Sequence, residues 1–156
     1  MRISGVVSFL LVSLASFAGT NGAPFSLTIA GPEAPIKNGS KINVHVRLTN
    51  TSVHEITLFD TNRDCDYRVE VSINGNPARE TEYKRALRCD ETMILERNVL
   101  VTLKPQQSTE DNIMISNLYD MTTPGTYLVR VMREIPKNLG RGTVQSNSIT
   151  IAVGSQ

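Results

Sequence analysis

The run Leu118-Tyr-Asp-Met-Thr-Thr-Pro-Gly-Thr-Tyr-Leu-Val-Arg-Val-Met-Arg133 decides how the chain is read. Pro124-Gly125 is a turn signal, because proline presets φ and glycine accepts φ > 0. A strand of period 2 follows at once. It puts Tyr127, Val129 and Val131 on one face and Leu128, Arg130 and Met132 on the other. A tyrosine entering a strand just behind such a turn is how β-sandwiches place the Tyr of a tyrosine corner.

Outward from this run, the same alternation recurs. Phe25–Ile29 forms a first strand, and Gly31–Gly39 is turn-rich. Lys41–Thr49 alternates without a fault, with Ile42, Val44, Val46 and Leu48 inward. Asn50-Thr51-Ser52 turns the chain into His54–Asp60, where Ile56 and Leu58 point in, so these two strands are expected to form a hairpin. Tyr67–Ile73 is another strand, ended by Asn74-Gly75, a strong hairpin signal. Glu80–Arg88 is charged and reads as a loop or short edge strand.

Val99–Leu103 has Val99, Val101 and Leu103 on one side. Asn112–Ser116 is a short strand, and Leu118–Asp120 one helical or irregular turn. Thr126–Glu134 follows, then a loop over Lys137–Thr143 and a last strand, Ser148–Val153. About eight short strands with turn signals every 8–12 residues or so make an all-β, two-sheet antiparallel Ig-like β-sandwich of Greek-key type. A closed barrel is the alternative.

The ends and the charge set the context. Arg2, the apolar run Val6–Leu14 and the small residues of Ser16-Phe17-Ala18 read as a signal peptide over residues 1–18, cut after Ala18. A cut after Ala23 would leave Pro24 next to the bond. The domain is then 24–156, and no later segment is long and apolar enough to span a membrane. Sixteen basic against fifteen acidic residues, with no long like-charged run, give nothing for nucleic acid to grip. No Trp is present, which argues against a stacking platform.

Export bears on Cys65 and Cys89. In an oxidising compartment they most simply form one disulfide, closing a loop of about 25 residues and worth about 3 kcal/mol. Two free thiols or an active-site pair are the alternatives, but no Cys-x-x-Cys and no sequence-near His accompany them.

Catalytic patterns are missing. His45 and His54 lie nine apart on strands, Gly-x-Ser-x-Gly does not occur, and Gly140-Arg141-Gly142 lacks the strand and helix of a phosphate loop. The one chemical candidate is the loop carrying Asp60, Asn62, Asp64 and Asp66. Its first positions alternate like calcium ligands, but Cys65 stands where a glycine is needed and Val71 where a bidentate Glu belongs. The plainer reading is that these side chains cap turns. Asn38-Gly39-Ser40 and Asn50-Thr51-Ser52 match the glycosylation acceptor pattern.

Ile42-Asn-Val-His-Val-Arg-Leu-Thr-Asn-Thr51 resembles a strand of bacterial exported Ig-like domains. With Leu103–Ser108, Leu118–Asp120 and Pro124–Tyr127, the order is similar to the β-sandwich of BsuPI-type proteinase inhibitors. It is also similar to the non-catalytic N-terminal region of deuterolysin-type metallopeptidases. The first resemblance implies a secreted inhibitor, with no residue assigned to inhibition. The second carries no activity over, since the peptidase zinc motif is missing. The expectation is an exported, non-enzymatic binding or accessory module without a cofactor. Its protein partner would be touched by the loops Asp60–Asp66 and Pro136–Gly142; a peptidase inhibitor and a calcium-dependent structural or adhesion module are the other two readings.

Overall fold

The computed structural model describes residues 22–89 and 99–155 of the chain. The expected signal peptide, residues 1–18, lies outside the described residues. Eleven strands and three one-turn helices are present among them. In chain order they are β1 (Phe25–Ala30), β2 (Ile36–Lys37), β3 (Asn43–Asn50), β4 (Ile56–Asp60), α1 (Arg63–Asp66), β5 (Arg68–Ile73), β6 (Asn76–Pro77), α2 (Glu82–Ala86), β7 (Val99–Leu103), β8 (Ser108–Met114), α3 (Ile115–Leu118), β9 (Gly125–Glu134), β10 (Thr143–Gln145) and β11 (Ile149–Gly154).

One layer has the strand order β1-β3-β8. The other has β2-β11-β9-β5-β6, with β10 also pairing β9, and β4 pairs β7 as a separate ribbon. All pairings are antiparallel except the short β2–β11 contact. The fold is therefore an all-β, Ig-like antiparallel sandwich. Its interior is the alternate set read from the sequence: Val44, Val46, Val129 and Val131 are all 0% exposed. Phe25, Leu27, Ile29, Leu48, Ile113 and Ile151 complete the same core. Burial of these side chains is the main favourable term, at about 25 cal/mol per Å² of apolar surface.

Tyr127 is 1% exposed, and its hydroxyl donates to the Thr123 carbonyl at 2.8 Å. This is the tyrosine-corner contact the Pro124-Gly125 turn prepares. Tyr127→Phe keeps the ring packed but strands that carbonyl. We expect a loss of about 1 kcal/mol in urea unfolding, with the far-UV dichroism of the folded domain unchanged. A loss under a few tenths would show that the corner is decorative.

Several expectations are corrected. The strands before and after Asn50 do not form a hairpin: β3 pairs β1 and β8, while β4 pairs β7. The cause is Asn50 itself, which is 0% exposed. Its Nδ2 donates to the carbonyls of His54 at 2.8 Å and Leu103 at 2.9 Å, and its Oδ1 accepts from Ser52 N and Oγ. This clasp turns the chain out of the first layer. Glu80–Arg88 contains α2, neither loop alone nor strand, because the Thr81 hydroxyl caps it by accepting from Lys84 N. Val99 is 60% exposed, since the outer end of the β4–β7 ribbon runs past the core.

The Asn74-Gly75 hairpin is as read, with Ser72 opposite Pro77 and both turn residues at positive φ. The polar strand residues Ser108–Asp111 and the short β2, β6 and β10 had no apolar alternation to reveal them. Asn147 supplies a further link, bonding both Ile29 N, at 2.7 Å, and Ile29 O, at 3.0 Å. It ties β1 to the turn between β10 and β11 and occupies part of an otherwise open strand edge.

Candidate functional site

The register brings the two expected loops to one end of the sandwich. Arg68 opposes Met132, so α1, just before β5, and the loop after β9 leave the sheet side by side. Arg133 joins them. Its Nη2 donates to the Phe59 carbonyl at 2.6 Å, and its guanidinium lies 4.9 Å from the centre of the Tyr67 ring. Only 8% of Arg133 is exposed, which the alternation of β9 explains, because Arg133 continues the inward face of Tyr127, Val129 and Val131.

A buried charge needs partners, and the neighbours provide them. The Tyr67 hydroxyl donates to Asp111 Oδ2 at 2.8 Å, and Arg63 Nε meets Asp111 Oδ1 at 2.9 Å. Asp111 is 8% exposed and comes from β8, so the network stitches the two layers together. Burial holds the Tyr67 hydroxyl well above the ordinary tyrosine range. It acts as a fixed donor to Asp111.

The acidic loop is used locally. Asn62 caps α1 by accepting from Asp64 N at 3.0 Å. Asp66 accepts from Thr61 N at 2.9 Å and from the Thr61 hydroxyl at 2.6 Å. Asp64 Oδ2 accepts from the Tyr83 hydroxyl of α2 at 2.7 Å, which raises the Tyr83 pKa. Asp60 ends β4 opposite Val99. Of the four candidate loop residues, Asn62, Asp64 and Asp66 therefore turn to different partners. Among the described residues no three His, Cys, Asp or Glu side chains gather as a metal would require. This is the turn-capping arrangement that the residue types also allowed.

Cys65 and Cys89 form the disulfide, with Cα atoms 5.4 Å apart. It fastens α1 to the chain leaving α2, and the Tyr83–Asp64 contact runs parallel to it. Across the end, the Pro136–Gly142 loop closes on itself: Ile135 N donates to Gly142 O at 2.9 Å, and Leu139 N to Pro136 O at 2.8 Å. Glu134, Lys137, Arg141 and Thr143 help line an open cavity of about 520 Å³ there. A second groove, about 490 Å³, lies elsewhere, between the Gly39–Lys41 turn, Arg79–Glu82 and Ser116–Thr122. Its lining carries charges of both signs, and Lys84 beside it is engaged by Glu80 and by the ring and hydroxyl of Tyr119.

The sequence reading missed the exposed apolar side chains of this end. Phe59 and Leu100, cross-strand neighbours in the ribbon, are 50% and 59% exposed. With Val99 and Tyr83 they make up four of the six large exposed hydrophobic residues among those described. The signal was present in Leu58-Phe59 and Val99-Leu100-Val101, where consecutive apolar residues must show one side outward. His45 faces solvent against Glu110 and Asn112, and His54 is exposed. Of the two glycosylation patterns, Asn50 has both amide hydrogens engaged inside the fold, whereas Asn38 sits half-exposed on a turn. No helix among the described residues is long and apolar enough to cross a membrane.

No protein-family model and no curated protein matches the chain. Among solved structures, the solution structure of a CARDB domain from a Pyrococcus furiosus protein is similar at 14% identity. Its TM-score is 0.41, over 84% of this chain and 94% of that one. The crystal structure of the same archaeal domain, in complex with di-metal ions, gives 14% identity and a TM-score of 0.45, over 88% and 100% of the two chains. Likeness at this level assigns neither family nor activity.

Proposed function

We propose that the chain is an exported, non-enzymatic accessory module that holds a protein partner against the end formed by Asp60–Asp66 and Pro136–Gly142. In this reading residues 1–18 are a leader that is removed, and 24–156 are the working domain. The observation that carries it is the convergence of both polar loops beside exposed Phe59, Tyr83, Val99 and Leu100. Apolar and aromatic anchors within a polar rim are what protein interfaces are made of. The disulfide and the Arg63–Asp111–Tyr67 contacts fix the backbone beneath, which lowers the entropy lost on binding. The disulfide also suits an oxidising compartment, in keeping with export.

The test is capture from envelope extract on the immobilised 24–156 domain. Two further baits carry a Gly-Ser replacement of residues 137–141 and the pair Asn62→Ala with Phe59→Ser. The expected result is a protein retained by the unaltered domain and lost from both altered baits, with their melting curves showing folded domains. Equal retention on all three would move the binding face elsewhere, and an empty unaltered bait would remove the reading. A peptidase panel assayed with the same domain separates inhibition from plain binding.

A further inference from the structure

A sheet ends in edges whose backbone groups have no strand to pair with, and such edges attract foreign strands unless something blocks them. Most edges of this domain are blocked in a recognisable way. Asn147 closes β1 by bonding both Ile29 N and Ile29 O. β2 and β6 are only two residues long, and β6 ends in Pro77. Beyond β6, the Tyr119 hydroxyl donates to Val69 O and the Ala78 amide to Val71 O, so β5 is covered as well. β8 carries Glu110 and Asp111, the second held by Arg63 and Tyr67. Beside β4, Arg133 bonds the Phe59 carbonyl and Asp66 the Thr61 amide.

β7 has no such protection. Its residues, Val99-Leu-Val-Thr-Leu103, include no charge, proline or glycine. Among the described residues its one partner strand is β4, and Val99–Thr102 make no hydrogen bond outside that pairing. Every second residue of β7 must therefore turn its N–H and C=O away from β4. Val99 and Leu100 are 60% and 59% exposed, and Thr102 is exposed beside them. We propose that the outer edge of β7 is a strand-addition site, where an extended, uncharged segment of a partner protein joins the β4–β7 ribbon as its third strand. This rests on the reading of that end as the place where a partner docks, and it names what the partner brings there.

Size and charge select the occupant. Phe59, Val99 and Leu100, each half or more exposed, offer on the order of 300 Å² of side chain, against the ~800 Å² that each partner of a stable complex buries. That is too little for a second copy of the domain held by side chains alone. An added strand needs less, because main-chain hydrogen bonds supply the affinity and alternate side chains the fit. Leu100 and Phe59 are cross-strand neighbours on the outward face. The segment that fits has apolar or β-branched residues at every second position, so that they line up beside Leu100. A charged residue at its centre would be set against an uncharged strand, with no ion pair to form along Val99–Leu103.

The experiment titrates the isotope-labelled 24–156 domain with a synthetic peptide of the sequence Glu55–Thr61, a strand that β7 already accepts on its other side. The expected result is a shift of the Val99–Thr102 resonances, with the outward amides of β7 exchanging roughly tenfold more slowly at saturation, the protection that one net hydrogen bond gives. Two further peptides are methylated on alternate amide nitrogens. One set should abolish the shift and the other should spare it, since only every second amide of an added strand faces the domain. No shift of β7 up to the solubility limit of the peptide overturns the proposal, as does equal binding by the two methylated forms. So does a free domain in which every β7 amide already exchanges slowly, or a concentration-dependent dimer that protects β7, which would make a second copy the occupant. The titration uses no extract. If β7 stays unmoved while capture succeeds, strand addition falls and the docking end stands. If capture fails while the peptide adds, the loops lose their role and the β7 edge remains a strand site.

Discussion

Asn50→Ala is expected to lower the stability of the domain by about 3 kcal/mol, the largest effect of any single polar change proposed for it. The reason is the number of groups that one side chain satisfies. Removing the amide leaves the buried Leu103 carbonyl without its donor, and leaves the part-buried His54 carbonyl to the Ser52 hydroxyl alone. Each stranded group costs about 1–3 kcal/mol, and the Ser52 amide and hydroxyl can recover part of their loss from water. A small void beside Leu48 and Leu103 adds to the total. Urea unfolding should show a midpoint shift of about 1 M or more at unchanged slope. Asn50→Asp keeps the shape but exchanges two donations for a buried charge, and should be no better tolerated. A loss under about 1 kcal/mol for alanine would mean that the crossover is held by something other than this clasp.

The second large effect concerns the disulfide. Cys65→Ser with Cys89→Ser opens a link between residues 24 apart. The chain-entropy model gives about 3 kcal/mol for a loop of this size, by releasing the unfolded chain from a constraint. The sandwich core contains neither cysteine, so the double variant should still fold, with native exchange protection in β3 and β9. Protection should fall in α1 and α2, which would then be held by single side-chain contacts such as Arg63 to Asp111, Tyr83 to Asp64 and Lys84 to Tyr119. Partner capture should weaken with it, because the anchors would then have to be ordered on binding. Full stability in the double variant would show that the pair does not brace this end.

The layers were legible in the sequence wherever alternation was strict. Val44, Val46 and Leu48, and Tyr127, Val129 and Val131, have no arrangement that hides them except the inner faces of two sheets. Their partners were less legible. Nothing local in Ile56–Asp60 says that it pairs with a strand some forty residues away in place of the one just before it, since that choice is made by one buried amide. The charged stretch Thr81–Ala86 hid a helical turn because its support is a cap and a disulfide, with no apolar stripe.

For the site, residue types in the loop Asp60–Asp66 were readable but their targets were not. Asn62, Asp64 and Asp66 look equally fit for a cation or for capping, and only three-dimensional neighbours such as Thr61 and Tyr83 separate the two. Arg133 falls inside the period-2 pattern of β9, one step beyond the inward set Tyr127, Val129 and Val131, and its burial was not anticipated. The pairing of Asp111 with Arg63 and Tyr67 spans more than forty residues and could not be reached from spacing.

The most direct test of a binding end is to ask which positions touch the partner. A photo-cross-linking residue placed at Asn62, at Lys137 and, as the far-end control, at Asn76 in the Asn74-Gly75 hairpin would report this in envelope extract. The account predicts the same adduct from Asn62 and Lys137 and none from Asn76. Adducts confined to Asn76, or no adduct from either loop while the domain retains its partner, would contradict it.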